Sequence, residues 1–481
     1  MDLEKNMDDI EYELQYLNSK NSAETVKLFE ERILNLKNPE LCYIFAKTVK
    51  GANIRAHGEV IINYEQPYEE YTKLYYNYKF AREIEGADIK RHGEVIIKSK
   101  NVRFNYRFAH DIEGADIKAH EQAIIDSKSP EYCLDFAKDI KGSDIKAHEQ
   151  VIIESRNPRY CYEFAREIKG ADIEALGESV IESKDPEYNY KFAKYIKGAD
   201  VLAHGQVIID SKDPDYNYKF AHEIKGADIK AHEKVVIESG SPYFSYYFAE
   251  HIEGSDAKAL GKNVIKCGSE ELNYSFARKI KGADVRGHGQ IVIDCGTPEH
   301  NYYFAKDLKG TDVRAHGQRV IDSNNVELNY EFARDVEGAD IKAHEQVIID
   351  SNSLKYNYLF PKDIKGSNVR AHENIILESK NPRYCYEFAK DVKGADIASL
   401  GRVVIESENT EYNLRFARDI EGSDIKAHEQ VILKFGYKGF LLKFMESVKG
   451  ADKEKLQAEI DRTSLNEDYQ NHVRRLTKML I

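Results

Sequence analysis

The sequence predicts an all-α protein: a right-handed α-solenoid superhelix of helical hairpin repeats, closed by terminal caps. Three observations carry that expectation. A glycine recurs every 28 residues from Gly86 to Gly450, thirteen consecutive steps with no insertion or deletion. Each step holds two apolar stripes at helical spacing. Each stripe is bracketed by helix start and stop residues. A fixed period of this length marks stacked two-element units, each touching only its neighbours along the chain.

Residues 198–225, GADVLAHGQVIIDSKDPDYNYKFAHEIK, show how one unit works. Asp200 is placed to cap a first helix, its carboxylate accepting from free backbone N–H groups. Val201, His204, Gly205 and Ile208 follow at i, i+3, i+4, i+7 spacing, one face of a helix. Lys212-Asp213-Pro214 makes the turn. Asp213 caps the second helix and Pro214 takes its first position, where a missing N–H is harmless. Asn217, Phe220, Ala221 and Ile224 form the second stripe, and Gly226 supplies the left-handed residue that ends it. Helices of about ten residues are marginal alone, so stacking must hold them.

Taken in order, residues 1–22 read as an amphipathic N-terminal capping helix. Residues 23–449 read as fifteen helical pairs, the first a worn unit around Val26, Phe29, Glu30 and Ile33, then Cys42, Phe45 and Ala46. The second unit, 51–85, is 35 residues long; its extra seven lie in the tyrosine-rich stretch 63–78, expected to project as a long inter-helix loop. Loops on a rigid frame often carry function, which makes Tyr68 and Tyr71 candidate partner-binding residues. Residues 450–481 leave the pattern and are expected to form one or two closing helices.

Composition narrows the class. The chain has 481 residues, 42% hydrophobic and 32% charged, with a formal net charge of −13. The acidic balance weighs against a dedicated nucleic-acid binder. Apolar runs of three or four residues cannot span a bilayer, so no membrane is expected. The acidic start MDLEKNMDDIEYELQ lacks the features of a secretory signal. Of the six cysteines, Cys42, Cys133, Cys161 and Cys385 share the position of Asn217, and Cys267 and Cys295 that of Ser211. They read as small packed residues. Equivalent positions of neighbouring units lie about 8–10 Å apart, too far for a disulfide. A cytoplasmic location follows as the expectation.

Eleven histidines share the position of His204, but Leu176, Leu260 and Leu400 occupy it in other units. A position that accepts leucine is packed, and no neighbouring residue type completes a metal set. The following position alternates between glycine, as in Gly205, and glutamate, as in Glu121, Glu149, Glu233, Glu345, Glu373 and Glu429. Glycine there implies close approach of another group; glutamate must reach solvent or a partner. The tyrosine row Tyr190, Tyr218, Tyr246, Tyr274, Tyr302, Tyr330, Tyr358 and Tyr386 either stacks bases or packs between units with its hydroxyls near water. Leu134 and Leu414 at the same position favour packing.

The basic row Lys118, Lys146, Lys230, Arg286, Arg314, Lys342 and Arg370 sits in the first turn of the first helices, and acids such as Asp126, Asp210 and Asp294 sit in the last. Both placements oppose the helix dipole. A compensating contact is therefore expected, with Asp111, Asp139, Asp307, Asp335 and Asp363 as partners for the row. These seven cations are the other candidate partner-binding residues. The motif search finds no phosphate-binding loop, dinucleotide fingerprint, nucleophile elbow or HExxH, so no catalytic residue, cofactor or metal site is assigned and no enzyme is expected.

The two-helix period resembles, over about residues 23–450, the α-solenoid repeat class that includes the tetratricopeptide, HEAT and armadillo types. Those units are longer, and the tetratricopeptide Trp, Gly and Tyr pattern is absent here, so no functional residue transfers. The resemblance implies a binding surface along a curved superhelix. The expected function is a non-enzymatic scaffold for a protein or multi-subunit complex, by analogy a bacterial or viral inhibitor or adaptor. A nucleic-acid binder using the basic row and tyrosines is the alternative.

Overall fold

The computed structural model describes residues 23–66, 69–435 and 437–480; among them it is helical throughout its regular structure and contains no strand. The expected helix over 1–22 and the candidate Tyr68 lie outside the described residues. Helical pairs run in unbroken order from Ala23–Asn35 with Pro39–Thr48 to Ile425–Phe435 with Lys438–Ser447. The chain divides into two compact units, Met1–Ser239 and Gly240–Ile481. Within each, consecutive pairs pack in chain order, the arrangement of an α-solenoid.

The local signals act as the sequence implies. Asp200 Oδ1 accepts from the Ala203 N–H at 3.0 Å, and Asp213 Oδ1 from the Asp215 N–H at 2.9 Å, with Pro214 opening the helix. Gly226 has φ of +92° and stops the second helix. Ile208 and Phe220 are fully buried, and Ala221 and Ile224 nearly so. Repeated in every pair, burial of one phenylalanine contributes about 1.5–3 kcal/mol, which is what holds such short helices.

The turn between the two helices holds a feature absent from the sequence reading. Lys212 ends the first helix at φ +56°, and Lys100, Lys128, Lys184 and Lys380 do the same. Ser211 makes this possible: its hydroxyl donates to the Ile208 carbonyl at 2.7 Å and accepts from the Asp213 N–H at 3.2 Å. Glycine occupies the position at Gly240 and Gly268, both with φ of +70°. Replacing Lys128, Lys184 and Lys212 with glycine is therefore expected to raise stability, by about 0.5–1 kcal/mol each. Urea denaturation reads the change; a lower midpoint would contradict it.

One expectation about the atypical units is corrected. The stretch 63–78 is not one long loop: the first helix ends at Ile62, and the second runs over Glu70–Glu83, longer than its counterparts. No proline fixes its start, and the added turn has something to pack on. Tyr71 lies 5.9 Å from Tyr75 and 5.6 Å from Phe104, ring to ring. After residue 450 one helix, Lys453–Leu480, follows. It begins as a first helix would, capped by Asp452, with Leu456 and Ile460 buried against Leu441 and Phe444.

All six cysteines are unpaired. Cys42, Cys133, Cys161 and Cys385 are buried, but Cys267 and Cys295 are exposed rather than packed inside. Their serine position faces the turn, not the core.

Candidate functional site

The interior is tied together by a polar bridge between neighbouring pairs. Asn217 is fully buried, and its Nδ2 donates to the carbonyls of Ile208 and Asp213, each at 2.8 Å. That fixes the amide, so its carbonyl oxygen faces the next pair, where His232 Nδ1 lies 2.8 Å away. The imidazole must donate from Nδ1, leaving Nε2 without a proton. The same bridge joins His92 to Asn77, His120 to Asn105, His204 to Asn189, His288 to Asn273, His316 to Asn301, His344 to Asn329, His372 to Asn357 and His428 to Asn413. Each ring also lies against a buried phenylalanine, as His232 does on Phe220 with centroids 4.9 Å apart. Burial pushes the pKa of His232 down to about 4. These histidines are packed neutral residues.

Glycine or glutamate at the next position follows from that bridge. A Cβ on Gly205 would lie 3.1 Å from Phe220 and 3.5 Å from His232 Nε2. Every repeat with glycine here carries asparagine at the bridging position and histidine in the following repeat. Where glutamate stands instead, it folds inward and is buried. Glu121 Oε1 accepts from the Asp144 N–H at 2.6 Å and lies 3.2 Å from His148 Nε2. Cys133 then replaces the asparagine, so His148 donates from Nε2, the opposite tautomer. Glu149 and Glu373 likewise accept from the backbone of Asp172 and Asp396, with Leu176 and Leu400 in the histidine position. One repeat combines both forms: His372 has Asn357 Oδ1 at 2.7 Å and Glu345 Oε1 at 3.2 Å. Burial raises the Glu345 pKa and lowers that of His372 to about 4.

The tyrosine row belongs to a second ladder, on the second helices. Tyr302 donates to Asp335 of the next pair at 2.7 Å. Lys306 joins both, 2.8 Å from the Tyr302 hydroxyl and 2.9 Å from the carboxylate. Tyr106 with Asp139, Tyr274 with Asp307, Tyr330 with Asp363 and Tyr386 with Asp419 repeat the rung. One rung is charge-swapped, Lys279 meeting Glu250 at 2.9 Å. The hydrogen bond from Arg418 holds Asp419 down at about 2. These tyrosines pack between pairs with their hydroxyls committed.

That ladder overturns the expected partners of the basic row. Asp111, Asp139, Asp307, Asp335 and Asp363 serve the tyrosines and the Lys or Arg at the end of each second helix. The acids at the ends of the first helices take a glutamine four residues earlier, as Gln206 does with Asp210 at 2.8 Å. In the first compact unit Lys118 and Lys146 are exposed and make no ion pair, while Lys230 reaches Glu233 at 2.7 Å. In the second, Arg286, Arg314 and Lys342 are exposed and make none, while Arg370 reaches Glu373 and Asp396. Five of the seven cations thus project without a carboxylate in an ion pair, and it is the capping aspartates Asp116, Asp144, Asp284, Asp312 and Asp340 that answer the dipole at those helices. Tyr71 is 59% exposed.

Grooves between consecutive first helices are shallow. One of about 650 Å³ is lined by Ile181, Glu182, Ala203, Gln206 and Asp210, of which Gln206 and Asp210 bond each other. Among the described residues no three His, Cys, Asp or Glu side chains converge as metal ligands, and no helix is long and apolar enough to cross a membrane. No protein-family model matches the chain, and no curated protein is significantly similar to it.

Proposed function

We propose that this chain is a non-enzymatic scaffold that engages a protein or a multi-subunit complex along the surface of its stacked helical pairs. One observation carries the reading: the interior is held constant while a half-buried to exposed position on the second helices changes from pair to pair. Phe220 and its equivalents are buried throughout, yet the position of Lys219 holds Asp135, Glu163, Lys191, Tyr247, Ser275, Tyr303, Glu331 and Leu359 elsewhere. A constant frame with variable outward residues is what a solenoid needs to present an extended, specific surface. The unpaired thiols suit a reducing compartment, and we place the scaffold in the cytoplasm.

The five unpartnered cations favour a second reading, a ligand of repeated negative charge such as nucleic acid. Against it, the tyrosines that would stack bases are tied to carboxylates. Titration with single- and double-stranded DNA at two salt concentrations separates the two. The scaffold reading expects weak binding; tight binding with a steep salt slope would replace it. The triple substitution Arg286→Gln, Arg314→Gln and Lys342→Gln should leave the melting temperature within about 2 °C of the parent, because exposed charges without partners contribute almost nothing to stability. A larger fall would mean that these cations do pair within the array.

A further inference from the structure

Five of the second helices carry an ion pair on their outer face, four residues apart. In the first compact unit these are Arg159 with Glu163, Glu187 with Lys191, and Asp215 with Lys219. In the second they are Arg383 with Glu387 and Glu411 with Arg415. Between Pro242 and Asp363, within the second unit, the pattern stops. The same two positions hold Tyr243 and Tyr247, Glu271 and Ser275, Glu299 and Tyr303, Glu327 and Glu331, then Lys355 and Leu359. No ion pair joins any of these couples.

What replaces the pairs has one chemical character. Tyr243, Tyr247 and Tyr303 are 64%, 41% and 48% exposed. Glu271, Glu299 and Glu327 are exposed, Glu331 is half-buried, and none is in an ion pair. The cations nearby are already committed: Arg278 to Asp307, Lys306 to Asp335, Arg334 to Asp335 and Lys362 to Asp391. Lys355 lies over the Tyr356 ring, 4.5 Å from its centroid. The unspent charge of this face is therefore negative, and it is set beside exposed aromatic rings. Arginine and lysine are attracted by both features, through carboxylates and through ring faces.

Resting on the scaffold reading above, we infer that the face formed by the second helices from 242 to 363 docks a cationic, extended protein segment. Its carboxylates stand on three consecutive second helices, Glu271, then Glu299, then Glu327 and Glu331, which the tyrosine rungs hold side by side. Neighbouring helices stand about 8–10 Å apart, and a chain extended as polyproline II advances about 3.1 Å per residue with every third side chain on the same face. A segment with a basic residue at about every third position therefore matches the carboxylate spacing.

The test uses the full chain and a fluorescent peptide, Arg-Gly-Ser repeated five times, followed by anisotropy at low and moderate salt. An acidic peptide with Glu in place of Arg and a single-stranded DNA oligonucleotide run alongside. The substitutions Glu271→Gln, Glu299→Gln, Glu327→Gln and Glu331→Gln together should weaken binding of the basic peptide about tenfold or more, with the circular dichroism unchanged. The control, Asp294→Asn, Asp322→Asn, Asp350→Asn and Glu378→Gln, removes as much charge from the first helices of the same region and should weaken it less than about threefold. Equal losses in both variants, or no binding of the basic peptide to the parent, overturn the inference. Binding of the acidic peptide instead overturns it but leaves the scaffold reading standing. Preference for the oligonucleotide overturns both.

Discussion

Acidification through the window from pH 6.5 to about 4 is expected to unfold this protein, because its buried histidines are held neutral. His92, His120, His204, His232, His288, His316, His344, His372 and His428 each have a pKa lowered by burial to about 4, from an ordinary 6.5. Between those values the unfolded chain binds protons that the folded chain refuses, so stability is complete above pH 6.5 and falls as the pH drops towards 4. Each histidine contributes up to about 3 kcal/mol to that loss. At pH 5 each has already lost about 2 kcal/mol, so the nine together exceed the whole stability of an ordinary domain, about 5–15 kcal/mol, before pH 4 is reached.

The carboxylates of the outer ladder act in a separate range. Asp419, held at about 2 against an ordinary 3.8, loses its contribution only as the pH falls below 3.8. Circular dichroism across an acid titration should thus show the main transition above pH 4, in the histidine window. Introducing the natural Cys161 and Leu176 combination elsewhere should shift it to lower pH: His204→Leu with Asn189→Cys, and His316→Leu with Asn301→Cys. A transition that stays below pH 3.8 in the parent would show that the imidazoles accept protons in place.

Replacing Asn217 with alanine is expected to cost about 3–5 kcal/mol. Two hydrogen bonds from its amide are lost, the Ile208 carbonyl keeps only the Ser211 hydroxyl, and the His232 Nδ1 proton is left unpaired at a fully buried position. The sharper form is a cycle. Asn217→Cys alone should be strongly destabilising, since the ring keeps no partner. Gly205→Glu alone should also be destabilising, because a Cβ there would lie 3.1 Å from Phe220 and the carboxyl must be buried facing a bare Nε2, as Glu345 faces His372 with its pKa raised. The double variant recreates the arrangement of Glu121, Cys133 and His148, in which the ring turns its proton to Nε2. The two changes should therefore fall short of additive by about 1–3 kcal/mol, read by urea denaturation. Simple additivity would show that the two positions are independent and that their pairing along the chain has no energetic basis.

The sequence by itself determined the fold class, because short-range chemistry repeats without interruption. Asp200 and Asp213 as caps, Pro214 as a first residue and Gly226 as a left-handed stop need only their own helices, and each acts in the structure as the pattern implies. The packed role of the histidines was equally legible, because leucine replaces them in other units. The signal for the polar bridge was present too: glycine at 205 travels with asparagine at 217 and histidine at 232 in every such repeat. It emerges only when positions 12 and 15 residues apart are compared across repeats.

Tertiary structure alone decided which charges meet. Tyr302 and Asp335 are 33 residues apart and come together because consecutive second helices lie side by side. That contact takes the acids which the sequence appeared to offer to the basic row, and it leaves Arg286, Arg314 and Lys342 projecting. The second helix of that unit begins a turn early, at Glu70, where Tyr71 finds Phe104 in the next pair, a partner no local pattern announces. Caps and turns are fixed by neighbours in the chain. The partners of long polar side chains are fixed by which helices the stacking brings within a few ångströms.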